Sequence, residues 1–196
     1  MLQMKTLPLG EYQTNCYLLW NEGSEECIVI DPGYEPDTVL LQARLIKKKI
    51  AAILLTHGHF DHVGGVRAIA EQTGCAVYLQ ENDLSVPHRF TAGPLFYTDT
   101  YAEGDVLELA GLQLRVLQTP GHTPGCVCLL CEDHMFSGDT LFMDSCGRTD
   151  LPGGNHATIM QSLKRLRDLP GNYAVHPGHG PSTTLDDERK WNPYLR

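Results

Sequence analysis

The 196-residue chain lacks any long hydrophobic run, the longest being Ile50–Leu55. A helix needs about 20 apolar residues to cross a bilayer, so no membrane span is expected. No apolar stretch follows Lys5, so no secretory leader is read at the N-terminus. Positive charge is scarce: 15 Lys and Arg against 24 Asp and Glu leave a formal net charge of −9. That sign excludes sequence-independent nucleic-acid binding and docking on an anionic membrane, both of which need basic surface. The seven cysteines are an odd set (Cys16, Cys27, Cys75, Cys126, Cys128, Cys131 and Cys146) and do not form a secreted disulfide framework. A reducing cytoplasm is the setting they imply. Repeats, low-complexity tracts and linkers are also missing, and the length suits one domain over residues 1–196.

What is present is a globular composition, 42% hydrophobic and 20% charged, with short apolar segments between polar turns. Strands are expected at Leu2–Leu7, Cys16–Trp20 and Cys27–Asp31, then a helix over Asp37–Lys49 and a buried strand at Ile50–Leu55. A second helix is expected from Val63 to Gln72, ended by Gly74, before a strand at Cys75–Leu79. Gln80–Thr100 reads as a short helix plus a loop. Val106–Leu109 and Leu112–Gln118 form a hairpin, and Cys126–Cys131 pairs with Met135–Ser137. Asn155 caps a helix running to Asp168, Tyr173–His176 is a late strand, and Thr183–Trp191 a last polar helix. Two sheets packed face to face with helices outside fit this order.

The nine histidines carry the chemistry. His57-Gly58-His59-Phe60-Asp61-His62 places three imidazoles and a carboxylate in a loop after a strand. These ligands suit zinc, iron or manganese. In a tight turn His57 and His59 can point one way and Asp61 and His62 another, which serves two metals better than one. His122, Asp139 and His179 follow three further strands, each beside glycine. Strand C-termini are where sheet enzymes place their sites, and glycine allows close backbone approach. Five histidines and two aspartates give two metals three terminal ligands each, with one carboxylate between them. Two divalent ions would lower the pKa of a water bridging them.

These segments resemble the metallo-β-lactamase superfamily. The resemblance rests on Asp31-Pro32-Gly33, His57–His62 with Val63-Gly64-Gly65, and Pro120–Gly125. It extends through Gly138-Asp139-Thr140-Leu141-Phe142, Gly147-Arg148-Thr149-Asp150 and Pro177-Gly178-His179-Gly180. Within the superfamily the chain is similar to short bacterial glyoxalase II, the form without a C-terminal helical domain. The resemblance implies an α/β fold, a four-layer αββα sandwich. It implies one metal on His57, His59 and His122, another on Asp61, His62 and His179, and Asp139 as the bridge. The activity implied is hydrolysis of a small-molecule thioester such as S-lactoylglutathione, by hydroxide attack between the ions. Asp61 would orient the nucleophile or take its proton, and Arg148 would contact substrate. The metals expected are two divalent ions, zinc by preference, with iron or manganese as alternatives.

Cys146-Gly147-Arg148-Thr149-Asp150 also resembles persulfide dioxygenases, which use one iron. Lactone hydrolysis is a further alternative, and a metal-binding protein without activity is the non-enzyme one. His176 is read as packing or supporting rather than ligating. Cys126, Cys128 and Cys131 are read as buried small hydrophobes. Tyr12 and Asn15 are candidates for the pocket rim, and Gln80–Thr100 for a lid.

Overall fold

The computed structural model describes residues 1–196. The first half runs β1 (Leu2–Leu9), β2 (Thr14–Asn21), β3 (Glu26–Ile30), α1 (Pro36–Leu45), β4 (Lys49–Leu54), α2 (Phe60–Val63), α3 (Val66–Thr73) and β5 (Ala76–Leu79). Two 3₁₀ turns, Glu81–Ser85 and His88–Phe90, then lead to β6 (Asp99–Thr100). The second half runs β7 (Val106–Leu109), β8 (Leu112–Gln118), β9 (Val127–Cys131), β10 (His134–Gly138), β11 (Leu141–Phe142) and β12 (Ser145–Cys146). It ends with α4 (His156–Arg167), β13 (Ala174–Pro177), β14 (Thr183–Thr184) and α5 (Leu185–Trp191).

Strands β1 to β6 make one six-stranded sheet in chain order. The other is ordered β14-β13-β10-β9-β8-β7. Side chains on a strand alternate between faces, so each sheet feeds two apolar layers. On β2, Leu18 faces the outer layer with α1 and α3, through Val39, Leu40, Val66 and Ile69. Its neighbours Tyr17 and Leu19 face the opposite sheet and meet Leu114, Val116, Leu129 and Phe136. A third layer joins Cys128, Leu130 and Val175 to Ile159, Leu163 and Leu166 of α4 and to Leu185 of α5. The result is the αββα sandwich. Each fully buried aliphatic side chain in these layers contributes about 1.5–3 kcal/mol. The cysteines are free; Cys128 and Cys131 serve opposite faces of β9 as small apolar fillers.

Pairing aims the strand ends. β3, β4 and β5 are parallel. In the second sheet β8 is antiparallel to β9, β9 antiparallel to β10, and β10 parallel to β13. The C-termini of β8, β10 and β13 therefore share one edge. Asn15 N–H donates to Gly178 O at 2.8 Å, and Tyr17 Oη to Pro177 O at 2.6 Å, joining the sheets at that edge.

Four local expectations change. The first helix stops at Leu45 rather than Lys49. Lys47 takes φ +58°, and Lys49 joins β4 by donating to Glu25 O. The helix expected at Val63–Gln72 divides into α2 and α3 around Gly64 and Gly65, where Gly65 N–H leaves the helical ladder for Pro32 O. Gln80–Thr100 is two 3₁₀ turns and a short edge strand. Thr183 and Thr184 pair with β13 before α5 begins at Leu185.

Helix α4 is also tied to β8 through charge. Arg165 Nη1 donates to Glu103 Oε2 at 3.0 Å and to Gln118 O at 3.0 Å, while Gln118 N–H donates to Glu103 Oε2 at 2.7 Å. The Arg165 hydrogen bond holds the Glu103 carboxyl below its ordinary value. A depressed folded pKa stabilises above the unfolded value and loses that contribution as pH falls. Both side chains are more than two-fifths exposed, so solvent weakens the pair. Glu103→Gln is therefore expected to cost only about 0.5 kcal/mol at pH 7. In urea melts the difference from wild type should shrink as pH is lowered through the carboxylate range.

Candidate metal centre

All seven side chains singled out by spacing meet at the shared edge of the two sheets. His57 and His59 follow β4, while Asp61 and His62 lie on α2 rather than in an open loop. The helical turn sends these last two back toward the sheet edge. His122 follows β8, Asp139 follows β10 and His179 follows β13. Six are buried, and His179 keeps 28% of its side chain exposed.

Their ligand atoms form two groups of three, His57–His59–His122 and Asp61–His62–His179, each within 4.8 Å of one another. In the first, His59 Nδ1 and His122 Nε2 face each other at 2.9 Å. In the second, Asp61 Oδ2 lies 3.1 Å from His179 Nε2 and 3.6 Å from His62 Nε2. Asp139 stands between the groups. Its Oδ1 is 3.4 Å from His62 Nε2, and its Oδ2 is 3.5 Å from His122 Nε2 and 3.6 Å from His179 Nε2.

The outward ring nitrogens are fixed by acceptors. His62 Nδ1 pairs with Asp31 Oδ2 at 2.9 Å, His122 Nδ1 with Arg148 O at 2.7 Å, and His179 Nδ1 with Tyr12 O at 3.1 Å. Each acceptor takes the proton on Nδ1, which turns Nε2 toward the centre. A third grouping, Asp31–His57–His62, also falls within range. Asp31 is already engaged, since its Oδ1 accepts from Thr56 N–H at 2.8 Å and its Oδ2 from Thr56 Oγ1 at 2.6 Å. It therefore orients His62. Asp31 lies outside the ligand set read from spacing, and its Asp-Pro-Gly turn after a strand is the sequence signal for it.

The fit to metal ions can be tested on these atoms. His57 Nε2, His59 Nε2, His62 Nε2 and Asp139 Oδ1 are buried without a hydrogen-bond partner. Buried polar atoms without partners are costly, and His57 Nε2, His62 Nε2 and Asp139 Oδ1 call for a partner at the centre, where His59 presents Nδ1. Burial, with His62 and His122 beside it, keeps His57 well below the ordinary histidine range. Burial and His122 lower His59 to about 4, so both are neutral bases. Burial opposes charge on His62, yet Asp139 and Asp31 outweigh it and hold its pKa well above the usual value. For Asp139 burial is likewise outweighed, by His62, and its carboxyl stays ionised. Neutral His57 and His59 beside the ionised Asp139 attract cations, a metal ion would replace the proton on His62, and the site suits two metal ions.

A cleft of about 570 Å³ opens over this floor. Tyr12, Phe60, Phe90, Phe142 and Leu151 give it apolar walls, and Arg148 stands at the mouth. Tyr12 packs edge-on against Phe60 with ring centroids 5.4 Å apart. Of the residues expected at the rim, Tyr12 is there. Asn15 is buried instead and donates to Pro177 O at 3.0 Å and Gly180 O at 2.8 Å, shaping the His179 turn. From Gln80–Thr100, Phe90 reaches the cleft. His176 sits outside both groups, stacked on Phe136 and hydrogen-bonded to His134 and Ser182. Glycine lets the last turn come close: a Cβ on Gly178 would overlap Asp139 Oδ1 and stand 2.7 Å from His62 Cε1. Gly178→Ala and His57→Ala are both expected to lower bound zinc per chain, measured by elemental analysis after dialysis. Exposed His156→Ala should leave it unchanged.

Residues 9–179 match the Metallo-beta-lactamase superfamily. The chain is 31% identical to the hydroxyacylglutathione hydrolase GloC of Haemophilus influenzae, covering 99% of this chain and 98% of the relative. It is 36% identical to the probable metallo-hydrolase YqgX of Bacillus subtilis, again over 99% and 98%. Among solved structures it is similar to the B3 metallo-beta-lactamase BLEG-1, with TM-score 0.89, 36% identity and coverage of 98% and 99%. TTHA1623 in a di-iron-bound form gives 0.83, 41%, 97% and 100%. ETHE1 from Myxococcus xanthus gives 0.85, 30%, 97% and 83%. No helix is long and apolar enough to cross a membrane. With a three-histidine group and an aspartate–histidine group at the shared edge of an αββα sandwich, the chain belongs to the metallo-beta-lactamase superfamily of metal-dependent hydrolases.

Proposed function

We propose that this centre hydrolyses small-molecule thioesters of the S-lactoylglutathione type, using two divalent ions, zinc by preference. The observation that carries the reading is the pair of three-ligand groups sharing Asp139 beneath an open cleft. The nearly full-length similarity to GloC supports the thioester, and the di-iron form of TTHA1623 supports a two-metal centre in this fold. Bound at these groups, the ions would supply water ionised at neutral pH and a Lewis acid for the carbonyl oxygen.

The remaining steps fall to the chain's own residues. Asp61 lines the cleft with Oδ2 held by His179 and, at 3.4 Å, by Thr14 Oγ1. No side chain engages its Oδ1, which is left to orient the attacking water through that water's proton. The new C–O bond forms as the C–S bond breaks, and the electron pair leaves on sulfur. A thiol has a pKa of about 8.5, so the leaving group needs no strong acid. The apolar walls receive the acyl group and exclude bulk water from the carbonyl.

Arg148 is the cation at the mouth, but Asp150 already holds it. Arg148 Nε and Nη2 donate to Asp150 Oδ1 and Oδ2, each at 2.7 Å. Asp150 therefore competes with a substrate carboxylate. Asp150→Asn is expected to lower KM for S-D-lactoylglutathione by about 2–5-fold, and Arg148→Ala to raise it by a similar factor.

The deciding assay is hydrolysis of S-D-lactoylglutathione by protein whose metal content is measured in the same sample. A kcat/KM above about 10⁴ M⁻¹s⁻¹ with two metals per chain upholds the reading. Two metals with no turnover of this or other thioesters rejects it, and lactones are then assayed. The similarity to ETHE1 and the Cys146–Asp150 run favour persulfide oxidation as the second reading. One iron per chain with oxygen uptake on glutathione persulfide would establish that instead.

A further inference from the structure

Asp83 lies in the 3₁₀ turn Glu81–Ser85 and is fully buried. Neither the metal groups nor the cleft includes it. Its carboxylate is surrounded by donors from two segments distant in sequence. Oδ2 accepts from Gly58 N–H at 2.6 Å and from Thr123 Oγ1 at 3.0 Å. Oδ1 accepts from Gly125 N–H at 2.6 Å. Gly58 lies between His57 and His59, and Thr123 follows His122. One side chain thus joins the turn after β4 to the turn after β8, the two segments that supply the first histidine group. None of its hydrogen bonds reaches α2, which bears Asp61 and His62, or the turn bearing His179.

The surroundings are built to this contact. A Cβ on Gly125 would stand 2.6 Å from Asp83 Oδ1, and one on Gly58 would stand 3.4 Å from Asp83 Cβ. Asp31 makes a parallel arrangement on the other side. It holds His62 of the second group directly, and also Thr56, whose hydroxyl meets His57 Nδ1 of the first group at 3.2 Å. Of the two buried carboxylates outside the ligand set, Asp31 reaches both groups and Asp83 only the turns that carry the first.

We propose that Asp83 is a positioning residue for the His57–His59–His122 site, setting its metal affinity separately from that of the Asp61–His62–His179 site. The proposal rests on the two-site reading of the centre. A carboxylate suits the position because every polar neighbour donates and both of its oxygens accept. Asp83→Asn keeps the shape but turns an NH₂ toward one of the two turns. That turn loses its acceptor and meets a second donor.

Metal-free wild type, Asp83→Asn and Asp31→Asn are titrated with Co²⁺ and followed by visible absorption and by bound metal per chain. His59→Ala and His179→Ala provide reference spectra for centres lacking one site or the other. The expected result for Asp83→Asn is an affinity loss of about 10–100-fold confined to the first site, leaving the spectrum of His59→Ala at limiting cobalt. Asp31→Asn, which disturbs a contact beside each group, should weaken both sites. Thr123→Val removes one donor and leaves the carboxylate, and should weaken the same site by a smaller factor. If Asp83→Asn does not fold, Thr123→Val decides the question.

A purely structural role would weaken both sites together, or lower the melting temperature with neither site changed. Either result overturns the proposal. A wild type that binds a single ion rejects the two-site reading. The Asp83 assignment then stands only if that ion is lost in His59→Ala, kept in His179→Ala and weakened by Asp83→Asn, and it falls otherwise.

Discussion

The hydrogen bonds of Asp31 to Thr56 and His62 are the constraint on which the rest of the centre depends. Asp31 ends the run of β3 at φ +49°, a left-handed backbone that costs energy for a residue with a side chain. In return its carboxylate reaches across to the end of β4, satisfying Thr56 N–H and Thr56 Oγ1 before the histidine turn begins. The same carboxylate fixes the ring of His62 from the far side. Two parallel strands and the helical turn α2 are thereby held in one arrangement. The tight turn after Asp31 requires Gly33, because a Cβ there would overlap Asp61 O.

The other ligand positions follow from how the second sheet is paired. Because β8, β10 and β13 run parallel, their C-terminal ends and the polar turns that follow lie on one edge. His122, Asp139 and His179 reach the first sheet's histidines from there. Backbone carbonyls of Arg148 and Tyr12 set the His122 and His179 rings, so the loops around the cleft also orient the ligands. Four buried polar atoms remain without a protein partner. A stability-driven core would have no such feature, and it marks this edge as built for a cation. Above the centre lies the apolar-walled cleft, with the exposed Arg148–Asp150 pair at its mouth.

Much of this was legible in the chain because the signals are local. The alternation on β2 and the spacing of Ile159, Leu163 and Leu166 on α4 are set within a few residues, so strand and helix positions could be read from pattern. The spacing of His57, His59, Asp61 and His62 within one short segment points to metal chemistry for the same reason. The breaks that pattern missed have non-local causes. Gly65 leaves its helix because Pro32 O stands opposite, and Lys49 joins β4 because β3 lies beside it. Gln80–Thr100 has little periodicity, and the burial of Asp83 there is visible only once Gly58 and Gly125 surround it.

The sequence by itself determined the ligand types, their placement after strands and the apolar periods that make two sheets and their covering helices. Those properties depend on residue identity and on intervals shorter than one strand or helix. Folding supplies the distances that set the ligands, in the division the family resemblance implied, as two groups with Asp139 between them. Only the tertiary structure decided that Asp31 and Asp83 support those groups and that Arg148 is held by Asp150. Each of these depends on distances between segments that the chain brings together through sheet pairing. Hydrogen bonds and charge interactions act over a few ångströms in space, whatever the separation in sequence.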